Sequence, residues 1–205
     1  MRLAKILSYV THPILITTYL LLYVLYQKNS YLYYTVTPSG RIFFITISVA
    51  LTIIAPLISV GYLVYSKQVT NFYLDHRKER IVPMSITVAY TFGLYYLLLK
   101  FSLPPLIMTI VGVSVIGVAV TLIITLFWKI SAHMMGIAGF TGVVLALSYL
   151  TIPTSSTIIA SLFVLSGLIG TARIKQDAHS LSQVLTGWLL GLSVSFFTTL
   201  WLTQV

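Results

Sequence analysis

Apolar residues fall along this chain in long, nearly charge-free blocks, at about 4–26, 42–66, 81–100, 103–128, 131–152, 155–172 and 181–203. A helix needs about 20 predominantly apolar residues to cross a bilayer. Each block therefore predicts a membrane span, and the chain crosses seven times. The second, fourth, fifth and seventh blocks are the clearest, and the sixth is short. His12-Pro13 interrupts the first, where a proline is tolerated near a helix start or as a kink. Almost nothing remains for a soluble domain. The expected fold class is all-α, a polytopic helical membrane protein forming one domain over residues 1–205.

The polar segments between blocks alternate between two membrane faces. The loop at 27–40 (QKNSYLYYTVTPSG) is Tyr-rich, as an interfacial loop should be. Residues 66–80 (SKQVTNFYLDHRKER) form the most charged segment. Lys100 to Pro105 predicts a tight turn, Trp128-Lys129 precedes the fifth block, and Pro153 marks the next turn. Residues 171–183 (TARIKQDAHSLSQ) make the second charged loop. One face collects every histidine (His12, His76, His133, His179) and every acidic residue (Asp75, Glu79, Asp177). It also holds Arg2, Lys5, Lys67, Arg77, Lys78, Arg80, Lys129, Arg173 and Lys175, against Lys28, Arg41 and Lys100 opposite. A membrane enzyme with one polar pocket would be distributed in this way. Taken literally, the positive-inside rule puts the charged face in the cytoplasm. Setting aside four cations suited to holding an anion (Arg77, Lys78, Arg80, Arg173) leaves five against three, and orientation stays open.

Composition narrows the function classes. At 58% hydrophobic and 7% charged, the chain lies outside the range of soluble domains. The net charge of +9 points to anionic partners, and because the basic residues sit in short loops between spans, membrane headgroups fit better than nucleic acid. Arg2 and Lys5 precede an apolar stretch too long for a signal-peptide core and without a small-residue cleavage site, so that stretch reads as a retained span. The absence of cysteine excludes disulfides, thiolate metal sites and a cysteine nucleophile. Gly136, Gly139 and Gly142, with Gly187 and Gly191, suit close approach of helix backbones. Internal packing is the expected use, with a homo-oligomer face as the alternative.

Three polar clusters return to the charged face. They are Asp75-His-Arg-Lys-Glu-Arg80-Ile-Val-Pro83, Lys129-Ile-Ser131-Ala-His133, and Arg173-x5-His179-x3-Gln183. Two arginines offer rigid forks matched to phosphate oxygens. Ser131 lies at a helix N-terminus, whose unpaired N–H groups favour an anion. Of two histidines beside them, one could attack phosphorus while the other protonates the leaving oxygen. Read from their surroundings alone, His12 and His76 are interfacial polar residues, and Arg77, Lys78 and Lys175 face solvent or headgroups.

On these residues the chain resembles the type 2 phosphatidic acid phosphatase superfamily of integral-membrane lipid phosphatases, related to vanadium haloperoxidases. The family motifs are Lys-x6-Arg-Pro, Pro-Ser-Gly-His and Ser-Arg-x5-His-x3-Asp. The third is matched by Ala172-Arg173-x5-His179-x3-Gln183, and the second by Ile130-Ser131-Ala132-His133, which keeps Ser and His. In the first, Arg80 is followed by proline only at 83, and Tyr73 stands at the lysine offset. The resemblance spans about residues 67–195 and implies a six-helix phosphatase-like core over about 42–203. It implies that His179 is the nucleophile forming a phosphohistidine and His133 the general acid. Arg80, Arg173 and Ser131 would bind phosphoryl oxygens, with no metal and no cofactor. The implied substrate is a lipid phosphate or polyprenyl diphosphate, and the implied setting a multi-pass position in a bacterial inner membrane, with the family's usual extracytoplasmic site. Gln183 departs from the family's Asp. It can hydrogen-bond the His179 ring but supplies no charge, unless Asp177 substitutes.

Two other readings stand beside this one. A lipid-phosphate binder could keep the anion cradle without turnover, as Gln183 suggests. Asn71-x3-Asp75-x3-Glu79, with Arg80 and Pro83, also resembles the Asp-rich first motif of magnesium-dependent membrane prenyltransferases. There Phe72 occupies a position that is often Asp, and the second loop offers only Asp177.

Overall fold

The computed structural model describes residues 2–28, 30–72, 74, 76–150 and 154–204, with side chains from residue 6 to 203. Tyr73, Asp75 and the Pro153 turn lie outside the described residues. The elements, in order, are α1 (Arg2–Val10), a 3-10 turn (Pro13–Leu15), α2 (Ile16–Tyr26), α3 (Tyr31–Thr35), α4 (Pro38–Val49), a π-helical turn (Ala50–Ile54) and α5 (Ala55–Tyr65). There follow a second 3-10 turn (Lys78–Arg80), α6 (Ile81–Leu98), α7 (Pro105–Phe127), α8 (Ala132–Tyr149), α9 (Ser156–Lys175) and α10 (Leu181–Gln204). Seven helical stretches are long and apolar enough to cross a membrane, from Ile6–Tyr26 to Leu181–Thr203, each within a few residues of the block that predicts it. Large apolar side chains such as Tyr65, Phe127 and Phe197 are exposed on the outside, where lipid replaces water.

Two spans are broken, each for a local reason. In the first, Pro13 has no N–H to continue α1, and a 3-10 turn takes over. The second contains Pro56, whose ring crowds the carbonyl four residues back, at Thr52, and withholds a donor. The π-helical turn at Ala50–Ile54 absorbs that conflict. It is braced from α2, where the Thr18 hydroxyl lies 3.0 Å from Ser48 Oγ and 3.4 Å from Thr52 Oγ1. Buried hydroxyls paired in this way avoid the cost of lone polar groups in an apolar interior.

At the centre, α8 and α10 cross with almost no side chain between them. A Cβ on Gly142 would collide with the Leu192 carbonyl, and one on Gly191 would come within 2.5 Å of the Met135 carbonyl. Gly187 and Gly139 continue the seam, facing the Ser131 carbonyl and the Ser195 hydroxyl. These glycines are therefore used inside the chain, as expected. Gly136 alone turns elsewhere, toward Ile16 of α2. A second core joins α2 and α7 through Leu21, Leu25, Ile107 and Ile110, all fully buried. On the far face, Arg41 closes the α3 segment. Its Nε donates to the Val36 carbonyl at 3.1 Å, another donor reaches the Tyr33 carbonyl, and the guanidinium lies 4.2 Å from the Tyr33 ring. That arginine is a structural clamp.

Candidate functional site

The loop ends of the first, third, fifth and sixth spans meet around one cavity of about 890 Å³. Its lining includes Arg80, Arg173, His12, His133 and His179, all near the ends of their spans on the charged face. Farther in, it is made by Ile53, Leu57, Val60, Met84 and Val113. Ala132 opens α8 at the polar end, and Gly139 still lines the space about two turns, or roughly 10 Å, deeper. Among the described residues, the lining contains no carboxylate, and no three potential ligand side chains converge to hold a metal ion. The lining is thus, among the described residues, cationic and imidazole-rich at its mouth and apolar farther in.

Each polar group is held by the backbone that delivers it. Arg80 enters from the 3-10 turn before α6, and its Nε donates to the Leu74 carbonyl at 2.7 Å. Arg173 lies in the last turn of α9. One of its amino groups donates to Ser8 Oγ at 3.3 Å and to Gln176 Oε1 at 3.2 Å. Gln176 reaches the same Ser8 hydroxyl at 3.4 Å. Ser8, on α1, is thereby tied to the end of α9.

The hydrogen bonds also set the proton positions on the imidazoles. Gln183 Oε1 accepts from the Ser180 backbone N–H at 3.4 Å, which fixes the amide with its oxygen toward His179. His179 Nδ1 lies 2.9 Å from that oxygen and must donate to it. The lone pair is therefore on Nε2 of His179, which has no hydrogen-bond partner among the described residues. His133 Nε2 lies 3.0 Å from the Ser8 carbonyl, so its proton is on Nε2 and its open position is Nδ1. His179, in the loop before α10, is held well below the ordinary histidine range, at about 4. Burial is the chief cause. Arg80, Arg173 and Lys129 push in the same direction, and the Gln183 hydrogen bond partly opposes them. At neutral pH this ring is a free base.

Of the residues singled out in the sequence, Arg80, Arg173, His133 and His179 come together on the cavity, with Gln183 behind His179. Ser131 does not reach the lining. It caps α8 with its backbone, and its hydroxyl is fully buried without a hydrogen-bond partner among the described residues. Asp177 is exposed, with φ of 52°, where it ends α9 by a left-handed turn. The Ala178 N–H closes that turn on the Arg173 carbonyl. His76 is exposed, and Arg77 caps the end of α7 by donating to the Thr125 and Leu126 carbonyls. Glu79 accepts from Thr70 and stands outside the lining.

His12, which its sequence surroundings assign to the interface, stands instead at the cavity. It lines the cavity with its ring edge-to-face on His133, centroids 5.3 Å apart. The signal available was His12-Pro13 itself, a polar break inside an apolar span. Ser8 and Gln176 carried no signal that marks them out from other polar residues near span ends.

Fold and cavity define the class: a multi-pass, all-α integral membrane protein with one mixed cationic and apolar cavity. No family model matches the chain, and no curated protein or solved structure matches it either.

Proposed function

We propose that this protein removes phosphate from a lipid phosphate or polyprenyl diphosphate by phosphohistidine chemistry at the cavity mouth, its expected setting being a bacterial inner membrane. The observation that carries the reading is a cavity lined by two arginines and an imidazole, whose Nε2 has no partner among the described residues, at the end of an apolar slot. Arginine forks suit phosphoryl oxygens, and an apolar slot suits a hydrocarbon tail.

In this mechanism the tail lies among Ile53, Val60 and Met84, and Arg80 and Arg173 hold the phosphoryl group. The His179 Nε2 lone pair attacks phosphorus, and the bond from phosphorus to the leaving oxygen breaks. The leaving oxygen takes a proton from His133, which this step requires in its doubly protonated form. That proton comes from Nδ1, since Nε2–H stays on the Ser8 carbonyl. Water then attacks the phosphohistidine. It gives one proton back to His133 Nδ1, releases phosphate and restores His179. Gln183 holds the His179 ring in line throughout.

The test is phosphate release by purified protein from a panel of lipid phosphates with EDTA present, wild type against His179→Ala. The expected result is chelator-resistant release that falls by on the order of 10³-fold or more in the variant. Equal release by the two proteins overturns the mechanism. One observation favours a second reading, binding without turnover: the partner of His179 is a neutral amide rather than a carboxylate. Saturable lipid-phosphate binding with no release from any substrate would select it.

A further inference from the structure

The polar break in the first span is shaped to present a hydrogen-bond donor. The Ile14 backbone N–H lies 3.3 Å from His12 Nδ1. An amide N–H can only donate, so Nδ1 carries the lone pair and the proton of the neutral ring is on Nε2. The other two imidazoles of the cavity have their N–H groups committed, His133 to the Ser8 carbonyl and His179 to Gln183. His12 Nε2–H has no acceptor among the described residues.

The position of the ring is fixed from both sides. C-terminal to it, Pro13 starts the 3-10 turn whose amide holds Nδ1. N-terminal to it, Ser8 ties α1 to Arg173 and Gln176 at the end of α9, so the backbone leading into His12 is anchored to a cavity arginine. The ring lies edge-to-face on His133 and lines the same space. A helix running unbroken through residue 12 would have no free amide to turn the imidazole this way.

We propose that His12 is a third functional imidazole, its Nε2–H donating a hydrogen bond to a phosphoryl oxygen of the bound substrate. The inference rests on the lipid-phosphate reading above and extends it. The first span becomes a working part of the site rather than an addition to a six-helix core over 42–203. His12 transfers no proton in this role. It stabilises charge that builds on the phosphoryl oxygens as His179 attacks, as a preorganised donor does at other oxyanions.

Two substitutions separate donor from cap. In His12→Asn, Oδ1 replaces Nδ1 as acceptor for the Ile14 N–H, while the distal donor is withdrawn. In His12→Gln, a distal N–H is restored at about the reach of Nε2. The experiment uses the full chain in lipid nanodiscs and reads three quantities: kcat and KM for phosphate release, the affinity for vanadate, and the thermal midpoint. His12→Asn is expected to lose ~10²-fold in kcat with KM little changed. It should bind vanadate more weakly and keep the wild-type midpoint, and His12→Gln should regain part of both losses. Wild-type kcat and vanadate affinity in His12→Asn overturn the proposal and leave the phosphatase reading intact. Equal losses in both variants with a lowered midpoint also overturn it, because they mark a packing role. If wild type binds vanadate without turnover, the vanadate affinities alone decide. If wild type neither releases phosphate nor binds vanadate, the lipid-phosphate reading fails and this inference falls with it.

Discussion

Gln183 Oε1 accepts the Nδ1 proton of His179 at 2.9 Å, from one turn farther along the chain. The same oxygen takes the Ser180 N–H, so a single neutral amide fixes both the loop and the tautomer. It orients the ring without adding charge to it.

Gln183→Glu keeps both hydrogen bonds and places an anion beside the ring. An opposite charge at this distance typically favours the protonated form by about 1–3 pKa units. The His179 pKa should rise by that amount in a nitrogen-detected histidine titration. Gln183→Leu removes the acceptor and should lower kcat by about 10-fold or more at unchanged vanadate affinity, because the ring loses its alignment. A Glu variant whose His179 titrates as in wild type would place Gln183 outside contact with the ring.

The low pKa of His179 has a defined sign. At about pH 5.5 an ordinary histidine is mostly imidazolium, whereas His179, at about 4, remains neutral. Its Nε2 lone pair is lost to protonation only as pH falls through about 4. Between about 6.5 and about 4 the unfolded chain takes up a proton that the folded site refuses, so the contribution of this group to stability falls as pH drops through that window. Nitrogen shifts of His179 that report imidazolium at pH 5.5 would contradict the burial that sets this value.

The glycine seam predicts opposite outcomes for one kind of substitution. In Gly142→Ala and Gly191→Ala the new methyl meets backbone of the facing helix, which cannot move aside as a side chain would. Each should cost about 1–3 kcal/mol of stability, as overpacking does. Gly167 has nothing within 4 Å of a would-be Cβ, so Gly167→Ala should instead gain up to about 1 kcal/mol from helix propensity. Unfolding midpoints in detergent check both signs.

Gly117 also has no neighbour within 4 Å of a would-be Cβ, and it lines the cavity. Gly117→Leu should fill part of the slot. Substrates with long tails should show raised KM while short-tailed analogues are turned over as in wild type. A uniform effect across tail lengths would separate the slot from tail recognition.

The seven spans were legible in the sequence because bilayer crossing imposes a length and an apolar content on contiguous residues. His179 and Gln183 were legible for a similar reason: a spacing of four residues survives in the sequence as local geometry. The π-helical turn was less legible. Pro56 announces a conflict, but the bracing that settles it comes from Thr18 on another span. Ser131 shows the reverse failure, since a serine at a helix start can reach a ligand or turn inward, and only the packing against α10 decides. His12 was set aside because its partners, His133 and the end of α9, lie far along the chain.

That separation has a consequence for biosynthesis. Ser8 meets Arg173 and Gln176 across 165 and 168 residues of chain, and His179 belongs to the last loop before the final helix. Spans enter the membrane in order, so the first meets His133 when the fifth inserts, and Arg173, Gln176 and His179 join only with the sixth span and the loop after it. The cradle then closes as one of the last long-range contacts to form, the slow kind that folding must reach after the local helices are in place. A nascent or truncated chain that stops before residue 173 has all its earlier spans and no site.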